Sequence, residues 1–150
     1  MKHAPKTEAF TFPVRIYYED TDAGGVVYYA NYLKFFERCR TEWLRSLGFA
    51  QSGLLRDPGI VFVVRSVSLD YLKPARLDDL LTISLEVEKI TRSQIFFRQQ
   101  VRRGGTAGEE QETLASGTVQ IVCVSLGTST GQMKISSIPA AMRAQLEASP

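Results

Sequence analysis

The sequence predicts an α+β fold in which a long, mostly antiparallel sheet wraps one central helix. Three observations carry that expectation. Residues 29–47 hold one apolar stripe at helical spacing: Tyr29, Tyr32, Leu33, Phe36, Cys39, Trp43, Leu44 and Leu47. From Ile60 onward the chain reads as four long β-patterned segments. No other segment makes a helix of comparable quality, so the apolar stripe needs a sheet to cover it.

In chain order, residues 1–9 are polar and expected to be loose. Phe10 to Tyr18 alternates, with Phe10, Phe12, Val14, Ile16 and Tyr18 on one face and Arg15 on the other. Pro13 marks that segment as an edge strand or one that starts late. The helix over 29–47 keeps Lys34, Arg38, Glu42 and Arg45 mostly off its stripe and is stopped by Gly48. Gln51 to Arg56 adds a short helical turn. Strands follow at Ile60 to Leu72, ended by Pro74, then at Leu80 to Ile90 and at Ser93 to Arg102. A Gly- and Glu-rich hairpin loop over Arg103 to Glu112 leads to a last long strand, Leu114 to Ser125, and Pro139 opens a short helix over 139–148. The connections between the four long strands read as hairpin-like. The whole chain, 1–150, reads as a single domain. Long strands at the ends of such a sheet leave exposed edges, so a homo-oligomer, dimer or tetramer, is expected.

Composition narrows the function. The net charge is only +2, with scattered basic residues, which argues against a nucleic-acid partner or a polybasic membrane patch. The longest apolar run, Ile60 to Val64, is far short of a transmembrane segment, and the first residues lack a secretory apolar core. Cys39 and Cys123 sit in apolar patterns and read as buried free thiols in a reducing, cytoplasmic compartment. The one histidine, His3, lies at the N-terminus. Histidine-dependent triads, His-ligated zinc and His-dependent dehydratases are therefore disfavoured, and a carboxylate must do any acid–base or nucleophilic work.

That chemistry concentrates in Tyr17 to Tyr32, which holds Glu19, Asp20 and Asp22, the pair Gly24-Gly25, and several tyrosines just before the long helix. An acid there lies beside a helix N-terminus, whose free N–H groups and dipole favour negative charge. For Asp22 a turn or cap role weighs about equally with catalysis on the residues alone. Glu19 and Asp20 as a paired acid system with Asp22 is the weaker reading, because such acids more often cap turns or pair with arginines. Tyr17, Tyr18, Tyr28 and Tyr32 are candidates for an aromatic acyl pocket or for plain packing, Trp43 for core, and Cys39 for a thiol without a base partner.

The run Val14-Arg15-Ile16-Tyr17-Tyr18-Glu19-Asp20-Thr21-Asp22-Ala23-Gly24-Gly25-Val26-Val27-Tyr28, with Asn31-Tyr32-Leu33, Phe36-Glu37-Arg38, Phe62-Val63-Val64-Arg65 and Tyr71 to Asp79, resembles the hot-dog-fold acyl-CoA thioesterases. The likeness is to the 4-hydroxybenzoyl-CoA thioesterase group, above all its Tol-Pal-associated (YbgC-type) branch, and it covers most of the chain. It implies a hot-dog fold, hydrolysis of acyl-CoA to acid and CoA, and no metal or redox cofactor. Asp22 matches the family's catalytic carboxylate, as nucleophile or as general base. Tyr29 stands where a backbone N–H polarises the thioester carbonyl; many members of the branch carry histidine there, and this chain departs from them.

Substrate contacts are expected from Gly24, Gly25, Val26, Tyr28, Tyr32, Val63, Arg65, Arg92 and Ser93. For the CoA phosphates, Arg65 and Arg92 are preferred over Lys73, Arg76, Lys89, Arg98 and Arg102. Acyl carrier protein is a candidate further partner. The alternatives are a non-catalytic acyl-binding or scaffold module and a hot-dog dehydratase or hydratase, the latter disfavoured by the missing histidine.

Overall fold

Val14 and Ile16 turn inward where the first strand approaches the core, while Phe10 and Phe12 are half-buried farther out. The computed structural model describes residues 9–104, 111–126 and 132–148; the expectation of a loose terminus over 1–8, with His3, and the tip of the 103–112 loop fall outside them. Strand β1 spans Phe10–Arg15. It stops before Tyr18, three residues earlier than its alternation suggests. The Asp20 carboxylate accepts the Tyr17 N–H at 2.9 Å and folds Tyr18–Asp20 into a 3₁₀ turn, leaving Tyr18 82% exposed instead of inward.

Helix α1 spans Asn31–Ser46 and buries Tyr32, Phe35, Phe36, Cys39, Arg40, Trp43 and Leu44. It begins two residues later than the apolar stripe, and its buried face is rotated from it. Phe35 is buried, whereas Tyr29 and Leu33 are exposed. A short helix α2, Gln51–Arg56, follows.

The remaining strands are β2 (Ile60–Tyr71), β3 (Leu80–Ile90), β4 (Gln94–Arg103), β5 (Glu112–Leu126) and a short β6 (Met133–Ile135), which alternation in the sequence does not announce. Helix α3 covers Ala140–Ala148. The sheet runs β1-β3-β4-β5-β2, with β6 added to β5, and every pairing is antiparallel. One face of it covers α1: Trp43 meets Phe97 edge-to-face at 5.4 Å, and Leu81, Ile83, Leu85, Ile95, Val101 and Ile121 belong to the same core cluster.

One connection corrects the sequence reading. The β2–β3 link is not a hairpin; it carries the chain from one side of the sheet to the other, since β2 pairs with β5 and β3 with β1. Segment 72–79 is fastened as it crosses. Leu72 and Lys73 N–H donate to Leu114 C=O, Val27 N–H donates to Ala75 C=O, and Asp78 N–H donates to Ile16 C=O. Those bonds set the crossing directly against the loop that precedes α1. No helix among the described residues is long and apolar enough to cross a membrane.

Candidate active site

The loop between β1 and α1 is a small hairpin. Thr21 bridges Val27, the Asp22 N–H donates to Val26 C=O at 2.9 Å, and the Gly25 N–H donates to Asp22 C=O at 3.0 Å. Gly25 has φ +80°, a left-handed conformation that a side chain would strain. At Gly24 a Cβ would lie 3.2 Å from Asp22 Oδ1, tight enough to push the carboxylate aside. Asp22 is exposed, and its Oδ1 accepts the Gly24 N–H at 2.8 Å. The carboxylate thus has the turn role weighed from sequence, while its remaining lone pairs stay available to a ligand.

Asp20 does a different job. Oδ2 accepts the Tyr17 N–H, Oδ1 accepts Asn31 Nδ2–H at 3.2 Å, and its carbonyl accepts the Tyr28 N–H at 2.9 Å. One residue therefore ties together the start of the loop, its end and the start of α1. Asn31 N–H donates to Tyr28 C=O, and Ala30 caps the helix without a side-chain bond. Among the described residues neither the Tyr29 N–H nor the Ala30 N–H has an acceptor. They are the free donors expected at a helix N-terminus.

Two cavities flank the loop. The first, about 420 Å³, is lined by Tyr18, Thr21, Asp22, Ala23, Gly25 and Leu77. The second, about 250 Å³, is lined by Val27, Tyr29, Tyr32, Tyr71, Leu72, Lys73 and Pro74. Tyr71 stands edge-on to Tyr29 at 5.9 Å and tilted against Tyr32 at 5.5 Å, and its hydroxyl donates to Tyr29 C=O at 3.1 Å. Burial pushes the Tyr32 and Tyr71 phenols up from their ordinary range, so both stay protonated at neutral pH. Lys73 is held by Glu112 at 2.7 Å, which keeps the Glu112 carboxyl below the usual carboxylate range, and Arg103 donates to Pro74 C=O at 2.6 Å beneath the crossing. An aromatic recess thus opens beside free helix N–H groups, while the exposed carboxylate opens into the adjoining hollow.

The sequence-predicted residues divide accordingly. Asp22, Gly24, Gly25, Val26, Tyr28 and Tyr29 share the loop, and Tyr32 lies one helical turn on. Within one chain, Val63 lies toward the other end of β2, opposite Val122, and Arg65 near the middle of that strand, in the irregularity between Val64 and Ser66. Arg92 and Ser93 form the β3–β4 turn, at the opposite end of β3 from Leu80. At about 3.3 Å per residue the length of β3 separates that turn from the loop by on the order of 35 Å. Arg92 donates to Ser137 Oγ at 2.6 Å, and the buried Ser93 gives its carbonyl to the Cys123 N–H. Tyr71 and Leu72 are recess residues that sequence reasoning did not single out. A Tyr at a strand end before Lys73-Pro74 was the available signal. Among the other basic candidates, Arg98 pairs with Glu88 and Lys89 lies over Phe96, while Arg76 sits beside the loop through its bridge to Val26.

Residues 24–109 match the model of the 4HBT thioesterase superfamily. The chain is similar to the protein named acyl-CoA thioesterase YbgC of Haemophilus influenzae, 49% identical over 118 residues that cover 79% of this chain and 82% of that one. It is also 44% identical over 118 residues to acyl-CoA thioester hydrolase YbgC of Escherichia coli O6:H1, covering 79% and 84% of the two chains. Among solved structures it is similar to 4-hydroxybenzoyl-CoA thioesterase from Pseudomonas sp. strain CBS-3, with a TM-score of 0.81 over 93% of this chain and 99% of that one; at 21% identity that likeness speaks for the fold.

Proposed function

The chain belongs to the 4HBT thioesterase superfamily, and on that premise we propose that it hydrolyses acyl-CoA thioesters to the free acid and CoA. One observation carries the site assignment: an exposed carboxylate, Asp22, shares a short hairpin with the unpaired N–H groups of Tyr29 and Ala30 at the start of α1. The thioester carbonyl oxygen accepts from those N–H groups, which stabilise the charge that develops on it. Asp22 either takes a proton from water, whose oxygen then forms the new C–O bond, or attacks the carbonyl carbon itself and is regenerated by water. In both routes the C–S bond breaks and CoA leaves as a thiolate, a good leaving group that needs no strong general acid. Both routes work without histidine, metal or redox cofactor.

The site is completed, on this reading, by a second copy. β2 is an edge strand with Val64 and Val67 exposed. Two β2 edges paired antiparallel about a two-fold axis would bring the Ile60 end of one chain opposite the Tyr71 end of the other. Val63, Arg65 and, farther out, Arg92 and Ser93 would then approach the partner's loop. Arg65 and Arg92 would serve the CoA phosphates from there. The two buried free cysteines support a reducing, cytoplasmic location, and acyl carrier protein remains a partner to test alongside CoA.

Thiol release from short, long and aromatic acyl-CoAs tests the hydrolase. Asp22→Asn should lower kcat by on the order of 10²–10⁴-fold for a positioned base, and more for a nucleophile. Label found in Asp22 after single turnover in ¹⁸O-water identifies the nucleophilic role, since water then opens the mixed anhydride at the Asp22 carboxyl carbon and a general base acquires none. Retained turnover in Asp22→Asn would remove this residue from the mechanism. A second reading, an acyl-binding module without turnover, draws on the engagement of Asp22 Oδ1 with its own turn; it predicts tight acyl-CoA binding and no thiol release by the parent protein.

A further inference from the structure

We propose that Tyr71 is a positioning residue of the thioesterase site: its hydroxyl donates to Tyr29 C=O, and so aims the Ala30 N–H of the same peptide group at the thioester carbonyl and strengthens it as a donor. The inference rests on the thioesterase reading. It adds to that reading a residue on a distant strand that acts through the backbone and not on the substrate.

The Tyr29–Ala30 peptide bond is trans, so its C=O and N–H point in opposite directions. A bond that holds the carbonyl therefore sets the direction of the N–H. The helix itself holds that carbonyl poorly. Leu33 N–H, four residues on, donates to Ala30 C=O instead of to Tyr29. Among the described residues this leaves Tyr29 C=O with one backbone donor, the Tyr32 N–H at a long 3.3 Å. The Tyr71 hydroxyl supplies a shorter bond, at 3.1 Å, from the end of β2 and 42 residues away in sequence.

Leu72 N–H and Lys73 N–H both donate to Leu114 C=O and pin the chain just after Tyr71. The Tyr71 ring stands edge-on to Tyr29 at 5.9 Å and tilted against Tyr32 at 5.5 Å, which restrains the phenol from turning away. Burial keeps that phenol protonated, hence a donor, at neutral pH. A hydrogen bond to a peptide carbonyl polarises the whole group and strengthens the N–H at its other end as a donor, by on the order of 10–30%. The Ala30 N–H has no acceptor among the described residues, so that strengthening goes to the group that binds there. A thioester oxygen gains negative charge in the transition state and draws more from an aimed, polarised donor than it does in the ground state. The effect therefore belongs to kcat more than to binding.

Tyr71→Phe keeps the ring and removes only the hydroxyl, and Tyr29 C=O retains the Tyr32 N–H, so the fold should persist with a thermal midpoint near the parent's. Thiol release from butyryl-CoA and benzoyl-CoA should show kcat lowered by on the order of 10-fold, less than the roughly 10²–10³-fold cost of losing an oxyanion donor outright. The dissociation constants should change by less than about twofold. A second readout is the infrared carbonyl stretch of benzoyl-CoA labelled with ¹³C at the carbonyl and bound to Asp22→Asn. Binding should move that band to lower frequency, and adding Tyr71→Phe should reverse part of the shift. An unchanged kcat, or a lowered kcat with an unmoved band, would overturn the proposal. Weaker binding with kcat intact would overturn it too, by placing the hydroxyl on the substrate. A band that fails to move on binding with Tyr71 present would overturn both this proposal and the role of the N–H groups at the start of α1. If the parent releases no thiol, the hydrolase reading fails, while the band still decides whether Tyr71 aims the donor.

Discussion

Two aspartates two residues apart show how position separates an available carboxylate from a committed one. Asp20 is partly buried and committed through carboxylate and carbonyl to Tyr17, Tyr28 and Asn31; Asp22 is exposed and, among the described residues, its side chain holds only the Gly24 N–H. The first shapes the loop that presents the second. Cys39 is the inert counterpart. It is fully buried, its Sγ faces Ile83 C=O at 3.7 Å, and burial pushes the thiol up to about 12, against the pull of Arg40 and Gln99. Its unfolded counterpart ionises near 9.0, so between about 9 and about 12 the folded chain binds more protons than the unfolded one. This contribution leaves stability untouched below that window and lowers it as pH rises through it; the raised phenols of Tyr32 and Tyr71 act in the same direction. Denaturant titrations spanning about pH 8 to 11 should show that decline, and Cys39→Ala should flatten it. An unchanged slope in the variant would remove Cys39 as a cause.

The pairing of β2 with β5 hinges on Gly117. A Cβ there would meet Ser68 C=O at 2.3 Å and Leu69 Cδ1 at 3.1 Å, and the first of these is backbone that cannot turn aside. Gly117→Ala should therefore destabilise the fold by about 1–3 kcal/mol, which for a chain of this length lowers the thermal midpoint by roughly 2–12 °C. An unshifted melting curve would mean that β2 has room to move. The strain falls close to the site, because Tyr71 ends the same strand and holds Tyr29 C=O. Strand β3 shows the converse. Its alternation specifies Leu80–Ile90 without help from neighbours, since Leu81, Ile83 and Leu85 all face α1.

The aromatic recess is lined by Tyr71 at the end of the long edge strand β2, and the assembly should follow from that edge. Val64 and Val67 are 51% and 42% exposed on a strand of twelve residues, a length that soluble monomers rarely leave bare. Sedimentation should find the parent as a dimer or a multiple of one. The double change Val64→Glu with Val67→Glu sets like charges against each other across the two-fold axis and should yield monomer. If Arg65, Arg92 or Ser93 of a partner serves the site, activity should fall in step with the dimer fraction. A folded, fully active monomer would confine the site to one chain.

Local patterning was enough to read α1 from its apolar spacing, β3 from its alternation, the turn before α1 from the crowding of Asp20, Asp22, Gly24 and Gly25, and the buried thiols from their apolar neighbours. These are properties of neighbours in sequence, where side-chain period and turn chemistry leave a direct trace. The crossing between β2 and β3, the early end of β1, the short β6, and the recess built from Tyr29, Tyr32 and Tyr71 depended on tertiary contacts. Each rests on bonds between residues far apart in sequence, such as Val27 to Ala75 or Tyr71 to Tyr29.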